Sequence, residues 1–400
     1  MGAPEVEFAF IGGPAVKARY VDGMVELDGC LYDEVCPAPC VGGACFELRD
    51  VAMGIGFHWE RRETQRFSGG LRLIPDRGRG YVVAVNVVGI EEYLKSVISS
   101  EMSAGSSAAL LRSHAVVSRS WLLRQLADRG KHTCAQATEW RRAEVDGETV
   151  DELVRWYDRE DHTLFDVCAD DHCQRYQGVT RQTSPAVAEA VEATRGMVLT
   201  YGGEVCDARF SKCCGGMSET FGSCWEDAPH PYLEPVADTD ASGRCFCDTH
   251  DMAVLESVLN GYDRESVDFY RWEVAYGADE LAQLLRSRSG FDFGDIMELR
   301  PLRRGASGRI TRLLVRGTCR SMIVGKELEI RRWLSASHLR SSAFDVERTP
   351  EGAFLLRGRG WGHGVGMCQI GAAVMGAEGY SWREILKHYF PKATLERIYE

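Results

Sequence analysis

In Gly360-Trp361-Gly362-His363-Gly364-Val365-Gly366-Met367-Cys368-Gln369, one histidine stands among four glycines and a glutamine follows it. Glycine loses entropy on folding unless the backbone needs positive φ or a close approach. The pattern therefore predicts a tight, exposed loop with a polar tip, or a plain turn whose histidine bonds a backbone carbonyl. Either way His363 stands out among the ten histidines. A second polar joint, Ser99-Ser100-Glu101-Met102-Ser103, falls between two helical patterns. A carboxyl group there can sit in a partly apolar cleft and hand over a proton, which makes Glu101 a general-acid candidate; the plain alternative is a capping or solvent-exposed glutamate. His162-x5-Cys168-x3-His172-Cys173 places N and S donors close together. Zinc takes such donors tetrahedrally, and a set with all four from protein gives a closed, structural site. Adjacent His172 and Cys173 cannot share one face of regular structure, so a loop must wrap the ion; the alternative is a Cys168–Cys173 disulfide. Cys213-Cys214-Gly215-Gly216, with Cys224, Cys245 and Cys247, forms another thiol-rich region. It reads as separate disulfides or metal ligands, or as a nucleophilic cysteine, Cys214, with His363 as base. Ser211 and Thr220 are polar groups for the same cleft.

These side chains need elements to hold them. Residues 80–88 are β-rich, and Tyr93, Leu94, Val97 and Ile98 recur at helical spacing over 90–98. A longer helix is predicted over 107–129, with Ser107 before the apolar pattern and Gly130 after it. Leu111, Ala115, Ser118, Leu122 and Leu126 share one face, which predicts a central core helix buried along that stripe. Ser184-Pro185 opens a third helix ending near Gly196, followed by a hairpin of 197–200 and 205–210 around Gly202-Gly203. Residues at about 251–290 read as a polar, helical, peripheral insertion. Strands are expected at 309–315, 322–324 and 353–356, the last feeding the His363 loop, and a helix at 326–334. Residues 1–79 read as a β-rich segment with Cys30, Cys36, Cys40 and Cys45, whose spacing fits no zinc template and suggests two local disulfides or a small metal knot. The second part, 80–400, then carries a mixed sheet packed with a central buried helix. This is the α+β class, since strands and helices do not alternate regularly.

Composition removes several functions. The chain has 400 residues and a net charge of −12, with no sustained basic patch, which argues against a nucleic-acid partner. No apolar run approaches the roughly 18–20 residues of a bilayer span, so no membrane span is expected. Fifteen cysteines are many for a cytosolic protein and imply disulfides, metal sites or both. The first residues lack a basic n-region, and the apolar stretch 8–16 is broken by glycines and a proline, so no signal peptide is expected.

Glu92-Tyr93-Leu94-Lys95-Ser96-Val97-Ile98-Ser99-Ser100-Glu101-Met102, followed by Leu111-Arg112-Ser113-His114-Ala115-Val116-Val117-Ser118-Arg119-Ser120-Trp121, resembles the signature of the SpoIID/LytB family of stage II sporulation protein D and amidase enhancers. Phe210-Ser211-x3-Gly215-Gly216-x-Ser218-Glu219, Pro231-Tyr232-Leu233, Ser307-Gly308-Arg309 and the His363 loop are similar to its later motifs, in the same order, so the likeness covers roughly 80–390. The resemblance implies a peptidoglycan lytic transglycosylase that cuts MurNAc-GlcNAc bonds of glycan strands and leaves 1,6-anhydro ends, with Glu101 as the acid and base. It implies a zinc site at His162, Cys168, His172 and Cys173, with one residue fewer between the cysteines than the family has. Ser118, Arg119, Trp121, Ser211, His363 and Gln369 become expected walls of the glycan cleft. Arg119 and Gln369 would hold oxygens and Trp121 or Trp361 would stack on a sugar face. A periplasmic or cell-envelope location is implied, which a removed leader or another start codon would reconcile with this N-terminus. The family's other branch implies a non-catalytic enhancer that binds glycan or a cell-wall amidase. The Cys30–Cys45 cluster, the Cys213-Cys214 pair and the 251–290 region depart from the sporulation proteins and look like those of uncharacterised Bacteroidales homologues.

Overall fold

The computed structural model describes residues 2–38, 45–54, 60–103, 105–130, 137–157, 162–170, 172–181, 184–259 and 268–400. Alternation of buried and exposed residues in the first strands, as in Met24–Leu27 and Arg61–Ser68, gives two antiparallel sheets. One has six strands, from Cys30–Tyr32 at one edge to Arg61–Ser68 at the other; the second has four. Phe8, Val25, Phe46, Phe67, Leu71 and Val82 fill the core they share. Tyr81–Val87 pairs along its whole length with Gly70–Asp76, so the N-terminal β part runs past residue 79 and takes in the strand expected to open the next part. No disulfide joins Cys30, Cys36 and Cys45, and Cys40 lies outside the described residues.

Helix α1 (Ile90–Glu101) and helix α2 (Ala108–Ala127) follow. Ser107 caps α2 by accepting the Leu110 N–H, as its position before the apolar run predicts. From Ser113 to Leu122 every side chain of α2 is buried, more than the single stripe anticipated. The cause is packing on all sides, against α1, against α3 (Pro185–Ala193), against α8 (Trp382–Tyr389) and against the strand Met197–Tyr201. Each leucine so enclosed stabilises by roughly 1.5–3 kcal/mol over an exposed one.

A five-stranded mixed sheet forms from Ala137–Val145, Glu148–Trp156, Ser321–Gly325, Ile310–Gly317 and Ile296–Arg304, in that spatial order. It carries its own core with α5 (Ala278–Ser289) and α6 (Glu327–Trp333). The region read as a helical insertion is corrected in one respect. Between α4 (Met252–Val258) and α5, the strand Arg271–Tyr276 pairs with Phe354–Arg359, and Trp272 and Leu281 are core residues. Helix α7 (Gln369–Ala377) begins directly after the His363 loop. The α+β class holds.

Candidate functional site

Glu101 is the last residue of α1, not a loop residue. Its side chain is enclosed, with the residue 8% exposed, and its Oε1 accepts the Arg175 N–H at 3.3 Å. Other buried carboxylates are differently served. Glu91, Glu152 and Glu327 face arginines, and Glu219 accepts bonds from Thr220, Ser223, Ala306 and Ser307. Among the described residues Glu101 has neither a cation nor a cage of donors. Tyr93 lies nearby, fully buried, its hydroxyl without a hydrogen-bond partner among the described residues. Burial first, then the negative charge of Cys173 and Cys168 and, more weakly, of Glu101, push that hydroxyl well above its usual range. The acid and the His/Cys loop therefore share one neighbourhood.

Residues 162–173 form no helix or strand where described, as two adjacent ligands require. The Cys173 Sγ stands 3.4 Å from His162 Nε2 and 3.5 Å from His172 Nδ1, and Cys168 Sγ 4.0 Å from His172 Nδ1. A zinc ion with bonds of about 2.0–2.1 Å to nitrogen and 2.3 Å to sulfur sets tetrahedral N···S edges of about 3.6 Å, so the donor set fits. A cleft of about 1590 Å³ opens between the N-terminal strands and this loop, lined among others by Glu5, Arg49, Arg79, Arg129, His162 and His172; Glu101 is not in its wall.

The glycines around His363 serve a buried cation and not an exposed tip. Gly364 has φ +78°, and a Cβ there would stand 2.4 Å from the Arg309 guanidinium; at Gly366 it would stand 2.1 Å from the Arg209 carbonyl oxygen. Arg309 is fully buried and donates to the carbonyls of Gly362 at 2.9 Å and Cys214 at 3.0 Å. Burial first, then Arg209 and Arg309, hold His363 well below its usual range. Its Nδ1 accepts the Val365 N–H, so the neutral ring carries its proton on Nε2, with Trp225 at 4.9 Å. No hydrogen bond or ring contact joins His363 to Glu101 among the described residues.

Several expected cleft walls lie inside the protein. Arg119, fully buried, grips Glu91 with Nε at 3.0 Å and Nη2 at 2.6 Å and donates to the Met197 carbonyl. It is therefore corrected from glycan ligand to structural cation. Trp121 is 6% exposed within the core of α2, and Trp361 packs between Phe269 and Arg340. Ser118 and Gln369 are buried on either side of His114, with Ser118 Oγ 3.1 Å from Nδ1 and Gln369 Nε2 3.1 Å from Nε2. Ser211 is buried too, its Oγ without a partner among the described residues. His114, which the spacing analysis passed over, ties α2 to α7. Its i, i+4 relation to Ser118 was the available signal; nothing local points to Gln369.

Burial, with Lys212 nearby, lowers His114 to about 3. The unfolded chain takes up a proton as pH falls through 6.5, while the folded chain takes none until about 3. Stability is therefore expected to fall across that window, by up to about 5 kcal/mol. Denaturant midpoints measured against pH check this: His114→Gln should flatten the slope even if it lowers stability at pH 7, and an unchanged slope assigns the acid sensitivity elsewhere.

Residues 78–201 match a family described as stage II sporulation protein, and residues 219–366 match a domain of unknown function (DUF8618). The chain is similar to a stage II sporulation protein D of Bacillus subtilis (strain 168), 25% identical over 77% of this chain and 74% of that one. It is similar to an amidase enhancer of the same organism, 26% identical over 52% of this chain and 32% of the longer relative. An uncharacterized protein of Brachyspira hyodysenteriae is 24% identical over 81% of this chain and 70% of its own length.

Proposed function

Because the chain belongs to the SpoIID/LytB family through its stage II sporulation protein domain, we propose that it works on the cell wall, in the cell envelope, as a peptidoglycan lytic transglycosylase with Glu101 as its one proton carrier. The observation that carries this reading is the environment of Glu101, a buried carboxylate held by one backbone amide and paired with no cation among the described residues. Burying a carboxyl group without a partner is costly, and such groups concentrate where chemistry is done. As an acid, Glu101 gives its proton to the glycosidic oxygen between MurNAc and GlcNAc, and that C–O bond breaks. As a carboxylate it then takes the proton of the MurNAc C6 hydroxyl, whose oxygen closes on C1 to form the 1,6-anhydro ring. The sugar's own hydroxyl replaces water, so no second catalytic carboxylate is needed, unlike in paired-acid hydrolases.

His162, Cys168, His172 and Cys173 would hold a structural zinc. Four protein donors leave no open position, so the ion supplies a clamp on the loop and no Lewis acid. Arg175, whose amide meets Glu101, follows Cys173 by two residues. Cys168→Ser with Cys173→Ser is therefore expected to remove one metal equivalent, open residues 162–173 to protease and reduce product formation. Elemental analysis with limited proteolysis checks it; full metal content and an unchanged digest in the variant would sink the clamp.

One observation favours a second reading. Arg119, Trp121 and Gln369 face the core, so Glu101 lacks the sugar-holding side chains expected around it, as a non-catalytic enhancer of a cell-wall amidase would. Purified protein incubated with glycan strands stripped of stem peptides separates the two. Released 1,6-anhydro-MurNAc ends support the transglycosylase; none, together with faster turnover by an added amidase, supports the enhancer.

A further inference from the structure

The second thiol-rich region converges on a point that the proposed chemistry does not use. Cys214, Cys247, Cys368 and Asp238 come from three separate segments, all are buried, and their ligating atoms lie within 4.8 Å of one another. We propose that these four side chains form a second metal centre, closed to solvent, that takes one soft divalent ion of the zinc class and fastens the His363 loop to the 238–247 loop.

One edge of the cluster has the spacing a single ion would set. Four donors around zinc with Zn–S bonds of about 2.3 Å set S···S edges of about 3.8 Å, and Cys214 Sγ stands 3.6 Å from Cys247 Sγ. A disulfide needs about 2.05 Å and would use two of the thiols, leaving the third thiol and the carboxylate beside it with no cation to bind. Asp238 is fully buried, and its hydrogen bonds come from neutral groups, the Tyr389 hydroxyl at 2.5 Å and the Cys247 N–H at 3.0 Å. These orient the carboxylate toward the three sulfurs, where a bound cation would meet it.

Amide donors converge on one of the three sulfurs. Cys368 caps α7, and its Sγ accepts the Gly371 N–H at 3.4 Å and the Cys214 N–H at 3.3 Å. Arg309 sits on the Cys214 carbonyl and adds positive charge behind them. Gly371 makes room, since a Cβ there would stand 2.4 Å from the Asp238 carboxylate. Half-buried Cys245 stands 3.6 Å from Cys247 Sγ, and a pocket of about 270 Å³ lined by Cys247, His250, Tyr270 and Ile370 borders the cluster on that side. Thiolates with a carboxylate select zinc over the hard cations magnesium and calcium. The ion would bind immediately before Gln369, and so set where α7 starts.

The test uses the full chain with the other candidate site disabled by Cys168→Ser and Cys173→Ser. Elemental analysis is expected to find one zinc per chain, lost when Cys247→Ser is added. Cobalt loaded into the same protein should show thiolate-to-cobalt charge-transfer absorption that Asp238→Asn weakens and Cys247→Ser abolishes. Should Cys247→Ser fail to fold, the wild type decides: alkylation after denaturation without reductant, followed by peptide mapping, should find Cys213, Cys214, Cys245, Cys247 and Cys368 all modified, with metal present before denaturation. A disulfide among these residues, or a metal-free folded protein with all thiols reduced, overturns the proposal. Neither readout depends on glycan cleavage.

Discussion

Under the proposed activity, Glu101→Gln protein is expected to release 1,6-anhydro ends about 10²–10⁴-fold more slowly than the wild type, the usual contribution of a positioned acid or base. Its unfolding temperature should barely move. Glutamine keeps the shape and still accepts the Arg175 N–H, so the stability lost is that of one weakened hydrogen bond, about 1 kcal/mol. No arginine is stranded by the change, because none pairs with Glu101 among the described residues. The same substitution at Glu219, which receives the amides of Ala306 and Ser307 and the Ser307 hydroxyl, removes a fully used acceptor and should disorganise the turn that carries Arg309. A time course of anhydro ends by mass spectrometry, run beside thermal unfolding, reads both quantities. Undiminished product from Glu101→Gln moves the chemistry to another group, and a collapsed unfolding temperature makes Glu101 a structural residue.

What the sequence revealed depended on how far apart partners lie along the chain. Caps are local, so Ser107 and Ser184 marked their helices correctly. His162, Cys168, His172 and Cys173 fall within one short loop, so that their side chains would meet was legible for the same reason. Glu101 was misplaced into a joint because two serines precede it, yet Ser100 Oγ bonds the Ser96 carbonyl and so stays within the helix it was expected to interrupt. The glycines of the His363 loop signalled a close approach correctly, but what approaches is Arg309, more than fifty residues upstream, and so an exposed tip was inferred where a buried cation lies. The Cys214, Asp238, Cys247 and Cys368 cluster was visible only as scattered thiols, since three segments must fold before their donors meet.

Arg119 gives the second large effect, and on stability. Arg119→Met is expected to destabilise the fold by about 3–5 kcal/mol, the range for breaking a buried pair by removing one partner. The side chains of Arg119 and Glu91 are 0% and 10% exposed and meet through two bonds, so the orphaned carboxylate keeps its desolvation penalty and loses its cation. Replacing both, as Glu91→Leu with Arg119→Met, should recover much of the loss, because an apolar pair leaves no buried charge. The acid limb supplies an independent check. Burial raises the Glu91 carboxyl, but the bonds from Arg119 and Tyr399 outweigh it and leave the group below its ordinary 4.5. A depressed carboxylate contributes stability that is present above 4.5 and is lost as pH falls through the lower folded value, so the wild type should lose stability below pH 4.5 more steeply than Arg119→Met. If Arg119 instead reached glycan, the variant would keep its denaturant midpoint and lose substrate affinity. An arginine that sets stability and leaves KM unchanged is a structural cation of the core face of α2 and no part of a substrate surface.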